Sequence, residues 1–102
     1  MPRMDKLSSY CTTIATAGDL TCITYHSTQI VAFDRHHITL RTGGWDTATT
    51  RRKMVQAARQ FGLEFSVYRD KGESRVRLPD GHDVPLEAEM TFRRANAWET
   101  AA

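Results

Sequence analysis

Between Leu20 and Thr42 the chain is dense in β-branched and aromatic residues, and short polar links break it twice. Leu20 to His26 and Thr28 to Phe33 read as strands, joined by a reversal at His26-Ser27-Thr28. A turn at Asp34-Arg35-His36 leads into Ile38-Thr39-Leu40-Arg41-Thr42, where apolar and polar positions alternate. Such alternation buries one face of a strand and wets the other. The three segments predict an antiparallel meander.

At Gly43-Gly44 the spacing changes. Met54, Val55, Ala58 and Phe61 fall at i, i+1, i+4 and i+7, the stripe of an amphipathic helix, while Arg51, Arg52, Gln56, Arg59 and Gln60 lie mostly elsewhere around the cylinder. The run Thr47-Ala48-Thr49-Thr50 supplies hydroxyls for the unpaired N–H groups of a first turn, and Gly62 suits a left-handed C-terminal cap. Alternation returns in Glu64-Phe65-Ser66-Val67-Tyr68. A hairpin turn at Asp70-Lys71-Gly72, a return strand Ser74 to Leu78, a turn at Pro79-Asp80-Gly81 and a short strand Asp83 to Leu86, interrupted by Pro85, complete the pattern.

The fold class expected is α+β: a single antiparallel sheet of order β-β-β-α-β-β, with a final β, and one principal helix packed on one face. Residues 20–90 form the domain. Residues 1–19, rich in Ser and Thr, read as an N-terminal arm or edge strand, and residues 91–102 as a flexible tail. One helix covers only part of a sheet face, so the other face is open to solvent, to the termini or to a partner. Alternation assigns Thr39, Arg41, Ser66, Tyr68, Arg75 and Arg77 to that open face, which suits a homodimer or a partner.

At 102 residues, 40% hydrophobic and 25% charged, the composition is that of one globular domain. The longest apolar run is only a few residues, against roughly 20 needed to cross a bilayer, and Met1 to Tyr10 lacks the apolar stretch of a secretory signal. The expectation is therefore a cytoplasmic protein without a membrane partner. Cys11 and Cys22 read as reduced thiols. The net charge of +2 is unevenly spread: six basic residues stand against one acid from Arg35 to Arg59, and five acids against two bases from Asp80 onward.

Candidate chemistry concentrates where the third strand gives way to the helix. Strand, glycine turn, hydroxyl-rich helix start and three cations in succession (Arg51, Arg52, Lys53) suit an anion, because helix N-termini favour negative charge and cations there oppose the dipole. Arg41, Trp45, Thr47, Thr49, Thr50, Arg51, Arg52 and Lys53 are the candidate binding residues. The same residue types are also what capping, turning and plugging a core edge require. The segment lacks the Lys-Ser/Thr ending of a P-loop.

Cys22 and His26 lie about 13 Å apart on an extended strand, too far to share an ion, so no metal or other cofactor is expected. A ββα nuclease arrangement fails because Thr50 to Phe61 holds no His, Asp, Glu or Asn ligand. No nucleophile elbow is present. Binding is favoured over catalysis.

Tyr25-His26-Ser27-Thr28-Gln29-Ile30-Val31 and Thr42-Gly43-Gly44-Trp45-Asp46-Thr47-Ala48-Thr49-Thr50-Arg51-Arg52-Lys53-Met54 resemble segments of a group of small, mostly uncharacterised bacteriophage proteins. The similarity covers roughly Leu20 to Leu86. Where that group tends to have a Trp in the closing hairpin, this chain has Ser74-Arg75-Val76. The resemblance implies a phage origin and a host-cytoplasm setting. It points to a host-interaction or anti-defence factor that binds a host protein or nucleic acid, with a nucleic-acid binder in phage DNA or RNA metabolism as the alternative and a small enzyme third.

Overall fold

The structure, a computed structural model, describes residues 12–44 and 47–94. It opens with a hairpin of β1 (Thr12–Ala17) and β2 (Leu20–Tyr25), closed by the two-residue turn Gly18-Asp19. Gly18 takes φ 64° at the first central position, where a tight hairpin of this kind calls for glycine. β2 continues through His26-Ser27 into β3 (Thr28–Phe33), which pairs with β4 (His37–Arg41). Ile23 pairs with Val31 and Thr24 with Gln29, so Ile30 is the extra residue of a β-bulge. The bulge lets both Ile30 and Val31 be buried.

Thr47 caps helix α1 (Ala48–Phe61), its hydroxyl oxygen accepting from the Thr50 amide at 3.2 Å. Gly62 ends the helix in the left-handed region, and the Leu63 amide donates back to the Ala58 carbonyl at 2.9 Å. β5 (Ser66–Asp70), β6 (Glu73–Arg77) and β7 (Asp83–Pro85) follow, then β8 (Glu89–Arg93).

The class is α+β with one helix, as the sequence pattern predicts, but the strands divide into two sheets instead of one. β1-β2-β3-β4-β8 form a five-stranded sheet, and β5-β6-β7 a three-stranded one. β8 takes the free edge of β4, with Ile38 opposite Phe92 and Leu40 opposite Met90. That edge is then closed to β5. Its hairpin packs instead through Phe65, Val67 and Val76 into the core shared with Ile23, Val31, Ile38 and Leu40. The Phe65 and Phe92 rings meet edge-on at 5.7 Å, and Phe33 and Phe61 at 5.1 Å.

Three further expectations change. Residues 12–17 are an edge strand, whereas the sequence leaves arm and strand open. Residues 91–93, read as tail, belong to β8; residues 95–102 lie outside the described part. Gln56 is buried along with Ala57, because α1 is covered by β3 on one side and β5 on another, so more than a narrow stripe is enclosed.

Candidate functional site

The β2–β3 turn and the start of α1 face each other across a cleft of about 440 Å³. Its described lining is Tyr25, His26, Ser27, Thr28, Ile30, Thr42, Thr47 and Thr50. Six of these eight carry hydroxyls, and Ile30 and the Tyr25 ring add apolar surface. The Thr47 hydroxyl bridges to that of Thr50 at 3.1 Å, and Thr42 accepts from the Gly44 amide at 3.3 Å. His26 holds φ 56°, uncommon for a residue with a Cβ, and its ring leans on Tyr25 at 4.4 Å.

Gly43 fixes the second wall against the first. At φ 63° it passes so close to Thr28 that a Cβ would stand 2.6 Å from both the Thr28 methyl and hydroxyl. Only glycine meets both demands.

Lys53 packs against one of the lining residues. Its side chain is buried, and Nζ lies 5.1 Å from the centre of the Tyr25 ring. A buried ammonium needs compensation, and the ring face supplies part of it. No acid stands in the first turn of α1 to offset the positive end of the helix dipole.

The structure thus sorts the eight candidate residues. Thr47 and Thr50 line the cleft, and Lys53 reaches the ring of Tyr25, which also lines it. Thr49 and Arg52 are exposed on the first turns of α1 but are not among the described lining residues. Arg51 turns toward β6, where Nη1 donates to the buried Ser74 hydroxyl at 3.2 Å. Three consecutive helical cations point roughly 100° apart, so they do not make one basic patch. Trp45 lies outside the described residues.

Arg41 does not join the site. It precedes Thr42 on a strand, and adjacent strand residues face opposite ways. On the outer face of the large sheet it donates to Glu89 at 3.1 Å and Gln29 at 2.6 Å. The basic face expected from Thr39, Arg41, Ser66, Tyr68, Arg75 and Arg77 is likewise divided, because the first two lie on one sheet and the rest on the other. Arg75 donates to Asp83 at 2.5 Å and pairs with Glu73 at 2.6 Å, and the Tyr68 hydroxyl donates to Asp83. These arginines are neutralised within the chain.

Sequence reasoning missed Tyr25, His26, Ser27, Thr28, Ile30 and Thr42 as site residues. A signal for them existed: all the described lining residues fall in the two segments that carry the phage resemblance, Tyr25 to Val31 and Thr42 to Met54. Among the described residues no three of His, Cys, Asp and Glu gather as metal ligands. No described helix is long and apolar enough to cross a membrane.

The family model of the Kyanoviridae Gp96 protein matches residues 2–98. The chain belongs to this bacteriophage protein family. Neither a curated protein nor a solved structure matches it. The Gp96 match spans both walls of the cleft and all eight strands, so fold and cleft lie together inside the family region.

Proposed function

We propose that this Gp96-family chain is a non-enzymatic phage accessory protein of the host-interaction or anti-defence type, working in the host cytoplasm. It binds a host protein, and the binding surface is the cleft between the β2–β3 turn and the start of α1. The observation that carries this reading is the cleft itself, a hydroxyl-lined space of about 440 Å³ beside a helix whose first turn holds no acid. Hydroxyls, a helix N-terminus and the apolar Ile30 and Tyr25 surfaces suit a glutamate side chain, with a methylene stem and an anionic end. A nucleic-acid partner is the weaker reading, since Arg41 and Arg75, two of the arginines expected on the open face, are paired with Glu89, Glu73 and Asp83.

Affinity capture from host lysate tests this. Wild type retains a discrete host protein, whereas Ser27→Trp, which fills the cleft mouth from an exposed turn position, loses it without a change in thermal midpoint. Equal capture by the variant contradicts the assignment of the surface. Retention of nucleic acid alone, falling steeply with salt, contradicts the protein partner.

A further inference from the structure

The five-stranded sheet ends on two very different edges. β8 carries Glu89 and Arg93, the charged residues that commonly guard an edge against pairing with another chain. β1 is Thr-Thr-Ile-Ala-Thr-Ala, without a charge or a proline, and all of it beyond Thr12 is exposed. Among the described residues no strand occupies its outer side.

Ile14 makes the edge more than a bare backbone. It stands opposite Ile23 and so on the core face of the sheet, yet it is 45% exposed where Ile23 is fully buried. The apolar surface of the core therefore runs out over the edge and ends uncovered on Ile14.

The hairpin also sets which backbone groups point outward. A two-residue turn makes Ala17 and Leu20 a hydrogen-bonded pair, so Ala17, Ala15 and Thr13 bond toward β2. Ile14 and Thr16 then direct their N–H and C=O groups away from the sheet.

We propose that β1 pairs antiparallel with β1 of a second copy of this chain, across a two-fold axis at Ile14, joining two five-stranded sheets into one. In this register Ile14 faces its own counterpart in a hydrogen-bonded pair, about 5.5 Å between Cα atoms, and Thr16 faces the second copy's Thr12. A two-fold interface sets this strand against itself, so an uncharged strand meets no like charge there. Charge and register both fit a second copy. The seam goes through the strand edge, unlike a dimer built on the open sheet face, and it does not depend on the cleft reading. One strand pair buries well under the roughly 1,600 Å² of a standard interface, so association is reversible and concentration-dependent.

Sedimentation equilibrium of the full chain over a dilution series tests the proposal. The mass is expected to rise from 11.6 kDa toward twice that value with concentration, and Ile14→Lys, which sets two like charges on the axis, is expected to stay at 11.6 kDa. Hydrogen exchange of the wild type gives a readout that needs no variant: the Ile14 and Thr16 amides are slow when concentrated and fast when dilute. A mass of 11.6 kDa at every concentration overturns the proposal. So does a dimer with unprotected β1 amides, or one lost in Thr91→Lys on β8 but kept in Ile14→Lys.

Discussion

Lys53 Nζ sits 5.1 Å from the centre of the Tyr25 ring, tying the second turn of α1 to the end of β2. The contact joins α1 to a residue of the cleft's other wall. A desolvated cation over an aromatic face is worth about 2 kcal/mol. Tyr25→Leu should therefore lower unfolding stability by about 2 kcal/mol, while Tyr25→Phe, which keeps the ring, stays close to wild type. Chemical denaturation of the two variants checks this, and equal losses would contradict the ring's role.

Gly43 and Gly44 offer a paired comparison. Both have positive φ, but only at Gly43 would a Cβ strike Thr28; at Gly44 it meets nothing within 4 Å. Gly44→Ala carries the backbone penalty alone, about 1–2 kcal/mol. Gly43→Ala adds overpacking of about 1–3 kcal/mol, which Thr28→Ala in the same chain should partly relieve. Denaturant titration of the three variants reads the difference.

Much of the fold was legible because its signals are local. Alternation marks β4 and the start of β5, and Thr47 and Gly62 cap α1 as their types require. Glu89-Met90-Thr91-Phe92-Arg93 alternates as well, but the expected end of the domain at residue 90 cuts through it, and only its pairing with β4 makes the whole segment a strand. The division into two sheets was hidden for the same reason: it depends on which strand reaches the β4 edge. At the site, a lysine in a basic run reads as surface, and nothing local to Lys53 reveals Tyr25 across the fold. Arg41 is different, since its strand neighbours already place it on the face opposite Thr42.

The turn into β4 gives a pH signature. Asp34 Oδ1 accepts from the His36 and His37 amides, each at 2.8 Å, and these bonds hold its carboxyl below the ordinary value of 3.8. A depressed carboxylate stabilises the fold above its unfolded-state pKa and loses that contribution as pH falls through the folded value. Asp34→Ala should thus melt below wild type at neutral pH, with the gap closing as pH drops beneath 3.8. Thermal melts across that range check it; a constant gap would contradict the anionic cap.

Thr47→Asp separates the structural from the binding role of the helix start. Aspartate caps a helix as well as threonine and adds a charge that suits the dipole, worth about 0.3–1 kcal/mol, so the thermal midpoint should hold or rise. The same carboxylate lines the cleft and repels an acidic ligand. The decisive measurement is an NMR titration with a glutamate-rich peptide, following the Ser27, Thr47 and Thr50 amides. Saturable shifts at these positions in wild type, lost in Thr47→Asp with the fold intact, are the predicted result; no shifts there in wild type, or the same shifts in the variant, would contradict an acid-binding cleft.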